Sequence, residues 1–131
     1  MTKRETIERF LELLERFSAD ASDYRTVLHP EIEQTEYPNQ LTDRTVVSDF
    51  SRLMERIPNG KRLLREQKYD IRRIHETDES LIAEVDWTAI VAADAGPFRA
   101  GQALTAYICA VFDFKDGKIY RQRNYDCFER F

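Results

Sequence analysis

The stretch that decides the fold is RAGQALTAYICAVFDFKDGKIYRQRNYDCF, residues 99–128. Apolar and polar side chains alternate on both sides of Lys115-Asp116-Gly117, the pattern of two strands joined by a tight turn. So short a connection permits only an antiparallel hairpin, because parallel neighbours need a crossover of a dozen residues or more. The same alternation runs through two earlier segments, bounded by turn signals at Thr77-Asp78-Glu79 and between Ala93 and Pro97. The expected strands lie near 67–76, 80–92, 99–114 and 118–128 and form a meander.

Upstream the period changes. Ile7, Phe10, Leu11, Leu14 and Phe17 recur at three- and four-residue steps behind a Thr2-x-x-Glu5 capping box, which predicts a helix over about 3–18. Ser22 is the expected cap of a second, short helix carrying Tyr24, Val27 and Leu28, and Pro30 disfavours its continuation through His29. Glu31 to Tyr37 reads as extended. From Asp43, the residues Val46, Val47, Phe50, Leu53, Met54 and Ile57 keep helical spacing until Pro58-Asn59-Gly60, the expected stop of a third helix. Helices gathered in one half and strands in the other give an α+β class: three N-terminal helices on one face of a curved, mainly antiparallel sheet.

At 131 residues the chain fits one domain, 1–131, with 42% hydrophobic residues to build a core and no room for a cofactor domain. A net charge of −4 is the wrong sign for phosphate neutralisation, so nucleic acid is not an expected partner. No apolar run approaches the ~20 residues of a membrane span, and the charged start does not resemble a secretion signal. The expectation is a soluble, cytoplasmic protein. Placed on the hairpin, Cys109 and Cys127 fall four positions out of register, or ~13 Å along a strand, too far for a disulfide. His29 and His75 are isolated, and neither metal-ligand spacing nor a phosphate-binding glycine loop occurs, so no metal or cofactor is expected.

Both sheet faces read as partly apolar. One is expected to carry Ile74, Ile82, Thr88, Ala106, Ile108, Ala110 and Phe112, with Glu84 and Asp86 among them. The other is expected to carry Tyr69, Ile71, Val85, Trp87, Tyr107, Cys109 and Val111. Three helices cover one face only, which predicts a homodimer through the second, with Trp87, Tyr107, Arg121 and Arg123 at its interface.

The order of elements, Glu84-Val-Asp86-Trp87-Thr88 in the second long strand and Asp116-Gly-Lys-Ile-Tyr-Arg-Gln-Arg-Asn-Tyr125 in the last resemble the nuclear transport factor 2-like superfamily, and within it SnoaL-like proteins. The resemblance implies an α+β roll of the cystatin-like type, a conical pocket between sheet and helices, and usually a dimer. The superfamily includes ketosteroid isomerases, limonene epoxide hydrolases, polyketide cyclases and non-catalytic members, so fold does not select chemistry. The epoxide hydrolases use an arginine and an aspartate two apart on a strand and an aspartate in a final-strand Arg-Asp-Tyr. Here those places read Glu84, Asp86 and Arg123-Asn124-Tyr125, and an amide cannot act as a general base. The isomerases' tyrosine, base and carboxylic acid correspond to Phe10 or Leu13, Tyr37 or Glu36, and Ala110, so that oxyanion hole is not preserved.

The residues themselves offer Asp86 as the first candidate for a base, expected among Ile82, Thr88 and Ile90, where burial raises a carboxyl's pKa. The bland alternative is a structural ion pair with Arg72, which lies near Glu84 and Asp86 across the turn. Glu36, on the same face as Gln34, is the second carboxyl, and two acids in one apolar cone resist ionising together. Tyr120, Gln122 and Asn124 alternate along the last strand as a polar row that would orient a ligand, with Tyr37 and Ile108 nearby. Phe10, Leu14, Phe17, Phe50, Ala106 and Ala110 are the expected pocket lining. The reading is a cofactor-free isomerase, cyclase or hydrolase acting on a compact apolar molecule, with Asp86 as base. Its alternative is a non-catalytic dimeric ligand-binding or scaffolding domain.

Overall fold

Thr2 closes the N-terminus of the first helix as the capping box requires: its hydroxyl accepts the Glu5 amide at 3.1 Å and its own amide donates to Glu5 Oε1 at 2.8 Å. The computed structural model describes residues 1–131. Helix α1 (Lys3–Glu15) buries Ile7, Phe10, Leu11 and Leu13 and stops three residues before the expected end. Phe17 sits in left-handed backbone at φ 52°, and the Ser18 amide folds back to the Leu13 carbonyl at 3.0 Å, which terminates the helix. Helix α2 (Ala21–Arg25) is capped by Asp20, not Ser22: Asp20 Oδ1 accepts the Ser22 amide at 2.9 Å. Val27 lies beyond that helix, and Leu28 begins strand β1 (Leu28–Glu36).

The third helix departs most from expectation. Val46 and Val47 form strand β2 (Val46–Ser48), paired with β1 through Glu36–Val46 and Gln34–Ser48. Helix α3 (Phe50–Leu63) starts only after Asp49, whose carboxylate accepts the Arg52 amide at 2.9 Å. Pro58 does not stop it. The ring removes one backbone donor, but Ile57 packs against the main core and Leu63 against a second cluster, so tertiary burial carries the helix past the proline.

Strands β3 (Leu64–Glu76), β4 (Ser80–Val91), β5 (Ala103–Lys115) and β6 (Lys118–Phe128) form the expected meander. One sheet in the order β2-β1-β6-β5-β4-β3 results, antiparallel except where β1 runs parallel to β6. Asp116 at φ 54° and Gly117 at φ 74° make the two-residue turn between β5 and β6. The main core, with Ile7, Tyr24, Leu28, Leu81, Phe112 and Ile119, lies between helices and sheet.

Register is where the expected faces change. Val85 pairs with Ile108, Asp86 with Tyr107 and Trp87 with Ala106. Directly paired residues share a face, so Val85 and Trp87 belong with Ile108 and Ala110 on the inner side, while Asp86, Glu84 and Thr88 face outward. A one-residue slip between neighbouring strands inverts every side chain. The connection from Ala92 to Gln102 contains a turn at Ala95–Phe98 but is too long for that turn to set the offset of β4 from β5. Trp87 is therefore 9% exposed and inside, not at an outer interface. The outer face keeps Tyr107, Arg121 and Arg123 but is laced with charge pairs: Arg72–Asp86 at 2.7 Å, Arg123–Asp113 at 2.8 Å and Arg121–Glu33 at 2.9 Å. It is not the continuous apolar surface that the sequence suggested.

A bulge corrects a further position. Asp113 pairs with Arg121 but Phe114 with Ile119, leaving Tyr120 as the extra residue. Its ring turns out of the inner row to meet His29 edge-on at 5.0 Å. The same offset pairs Cys109 with Tyr125 and Cys127 with Tyr107, so the cysteines stand two positions apart rather than four. That is about 8 Å between Cα atoms, still beyond bridging reach, and both thiols are free.

Candidate functional site

Between helices and inner sheet face lies a cavity of about 310 Å³, at the small end of ligand pockets. Eighteen of its 26 lining residues are hydrophobic, so it favours apolar contents. Phe10, Leu14 and Phe17 from α1 and its end, Met54 and Ile57 from α3, and Val85, Trp87, Ile108, Ala110 and Phe112 from the sheet make the walls. Polar groups enter from three strands and one helix: Gln34 and Glu36 on β1, Gln67 and Tyr69 on β3, Gln122, Asn124 and Asp126 on β6, and Arg56 on α3.

Of the residues proposed from sequence, Gln34, Glu36, Ile108, Gln122, Asn124, Phe10, Leu14, Phe17 and Ala110 line this cavity. Asp86, Glu84, Thr88 and Arg72 do not. They lie on the outer face, where Asp86 takes the Arg72 guanidinium at 2.7 Å and Glu84 faces His75 at 3.5 Å. The ion-pair reading of Asp86 is the one the geometry adopts, and a base for pocket chemistry must be sought elsewhere. Tyr37 stacks on Tyr125 at 4.9 Å outside the cavity. Tyr120 is removed by the bulge, Ala106 packs beside Trp87 in the second cluster, and Phe50 is in the main core beneath Arg25.

Asp126 is the carboxyl that sequence reasoning missed. Its signal was present, since the alternation of Gln122 and Asn124 reaches Asp126 one step further along the same strand face. Its Oδ1 is buried and has no hydrogen-bond partner in the protein. Burial, reinforced by the nearby Glu36 charge and only partly opposed by Arg56, pushes its pKa up to about 6. Glu36 is differently placed. Arg56 Nη2 at 3.1 Å, Asn39 Nδ2 at 3.1 Å and Thr42 Oγ1 at 3.3 Å all donate to it. The cavity holds two carboxyls, but they are Glu36 and Asp126 instead of the expected Glu36 and Asp86, one occupied by donors and one bare.

Gln67 and Trp87 were also missed as site residues. The Trp87 indole donates to Gln67 Oε1 at 3.0 Å, and Gln67 Nε2 donates to the Leu14 carbonyl at 2.7 Å, which ties the end of α1 to the sheet. Tyr69 donates its backbone amide to Glu15 at 2.7 Å, and burial with the Asp126 charge raises its hydroxyl well above the usual phenol range. A bare carboxyl of raised pKa in an apolar cavity, with amides beside it, can exchange a proton with a bound carbon or oxygen acid.

Cone, sheet order and interior polar strip define an α+β pocket protein of the nuclear transport factor 2-like kind. The chain belongs to the SnoaL-like family, whose domain model matches residues 7–122. Among solved structures it is similar to IdmH of Streptomyces antibioticus, a candidate polyketide cyclase, with TM-score 0.80 and 11% identity over 96% of this chain and 92% of that one. A SnoaL-like polyketide cyclase from Agrobacterium tumefaciens gives 0.73 and 12% over 96% and 91%. An LEH-like epoxide hydrolase from M. tuberculosis gives 0.65 and 20% over 95% and 80%. At these identities the likeness is one of fold. No curated protein sequence matches. No helix is long and apolar enough to cross a membrane.

Proposed function

We propose that the chain binds a compact, largely apolar carbonyl compound in this cavity and catalyses cofactor-free proton transfer on it, with Asp126 as general base. The observation that carries the reading is the Asp126 carboxyl lining an apolar cavity, with its buried Oδ1 left without a partner. Asp126 takes a proton from the carbon beside the carbonyl; the C–H electron pair passes to the carbonyl oxygen as an enolate. Return of the proton to another carbon isomerises the substrate. Attack of the enolate carbon on a second carbonyl, with the proton delivered to the new alkoxide, cyclises it. A base near pKa 6 suits this work at neutral pH. Similarity to proteins described as polyketide cyclases supports a carbonyl substrate. Epoxide hydrolysis is less well supported, because Asn124 stands where that mechanism has an aspartate and Asp86 faces away from the cavity.

Deuterium exchange at the α-carbon of 1-tetralone in D2O tests the reading. Exchange accelerated by the protein should rise with pH through about 6 and level off, and should vanish in Asp126→Asn. Ligand-induced stabilisation without accelerated exchange would favour the non-catalytic binding alternative. We also propose pairing of two copies across the outer face through Tyr107, Arg121 and Arg123, since Tyr107 is 48% exposed. A monomer at micromolar concentration overturns that part.

A further inference from the structure

Three amides run in file beside Asp126. Gln34 and Gln122 are paired positions across β1 and β6, 9% and 5% exposed. Gln34 Nε2 donates to Gln122 Oε1 at 3.1 Å, and Gln122 Nε2 donates to Asn124 Oδ1 at 3.0 Å. Every link has one direction, so the file ends with the Asn124 oxygen engaged and its two Nδ2 protons without a protein acceptor. Asn124 pairs with Ala110 and Asp126 with Ile108, so no bulge intervenes and both project from the same strand face. The small Ala110 side chain leaves the space over Asn124 to the cavity that both residues line.

Asn124 Nδ2 is the one amide nitrogen lining the cavity that donates to nothing in the protein, whereas the other lining donors each make at least one bond. The Trp87 N–H goes to Gln67, Gln67 Nε2 to the Leu14 carbonyl and Arg56 to Glu36. We infer that Asn124 is the specificity-determining donor of the pocket: its Nδ2 protons, oriented by Gln34 and Gln122, bind the acceptor oxygen of the ligand beside Asp126. This rests on the ligand-binding reading above and adds to it which residue reads the oxygen and how that residue is held. Such an amide rejects the hydrocarbon analogue, because its donors would then stay unpaired. As negative charge grows on the oxygen its bonds to Nδ2 strengthen, which favours the enolate over the ketone.

The probes are 1-tetralone and tetralin, which differ only at the carbonyl. They are compared at pH 8, where Asp126, with its pKa near 6, is ionised and donates nothing. Wild type should bind the ketone about tenfold more tightly than the hydrocarbon. Asn124→Leu should bring that ratio close to one. In the wild type, ketone but not hydrocarbon should shift the Asn124 side-chain amide resonances in a 15N-correlated spectrum, a readout that does not depend on the variant folding. Gln122→Leu, which releases the Asn124 oxygen, should also reduce the ratio, as a positioning residue would. A ketone preference that survives Asn124→Leu, or ketone binding without an amide shift, overturns the inference and leaves the pocket intact. An amide file running the other way would present the Asn124 oxygen, and the ketone would then gain nothing. Failure of both probes to bind wild type overturns the ligand-binding reading and this one together.

Discussion

Replacing Asp126 by asparagine should make the protein more stable at pH 8 and much less so at pH 4. The shape is kept and the charge removed. Asp126 has a pKa of about 6 in the fold against an ordinary 3.8, so the folded state holds this proton more tightly than the unfolded chain. Below 3.8 both states are protonated and the group is neutral to stability. As pH rises toward 6 the unfolded chain ionises first and stability falls; above 6 the loss is constant. The full difference corresponds to about 3 kcal/mol, reduced to about 2 kcal/mol because the carboxyl is only partly buried and solvent screens its charge. At pH 8 the variant should therefore gain about 2 kcal/mol, or about 6–10 °C in Tm for a chain of this length. Urea unfolding of both proteins at pH 4 and pH 8 measures it, and carbon-detected NMR titration of the carboxyl gives the pKa directly. An equal gain at both pH values, no gain at pH 8, or a titration midpoint near 4 would refute the reasoning. A variant that is more stable and inactive would show the cost that a buried base imposes on the fold.

Asp86→Asn should leave tetralone affinity and exchange rate unchanged, since Asp86 meets Arg72 on the outer face; an altered rate would return it to the site. Trp87→Ala should cost about 3–5 kcal/mol in urea unfolding, because it empties the cavity wall and leaves Gln67 Oε1 without its indole donor. As the chain's single tryptophan, Trp87 should also change its fluorescence when the cavity fills, and a constant signal at saturation would contradict its placement there. Gly117→Ala should cost about 1 kcal/mol, purely from the left-handed backbone, since a Cβ there meets nothing within 4 Å. Denaturant midpoints check this, and an unchanged value would mean that the turn relaxes.

How much of the site could be read in the sequence depended on the kind of signal each residue carried. Gln34, Glu36, Gln122 and Asn124 were legible because strand alternation alone gives their shared face. Asp126 continues the same alternation and was legible in principle. Asp86 and Trp87 exchanged sides because alternation says which residues go together, not which set faces the helices. Tyr120 left the row through a bulge that no residue in the strand announces. The helix at 43–57 was misplaced because Val46 and Val47 fit both a helical stripe and a short edge strand, and only pairing with β1 decides between them.

What the sequence determined by itself was local: the capping box at Thr2, the Asp116-Gly117 turn, the meander and the α+β class, each set by residues within one turn or one hairpin of each other. The order of the sheet, the parallel docking of β1 on β6, the offset of β4 from β5 and the meeting of Glu36, Arg56 and Asp126 were decided only in the tertiary structure. The reason is physical. Propensity and periodicity act over a few residues, whereas register and burial are settled by which surfaces exclude water together, and the environment that raises the Asp126 pKa exists only once β1, β6 and α3 have closed around it.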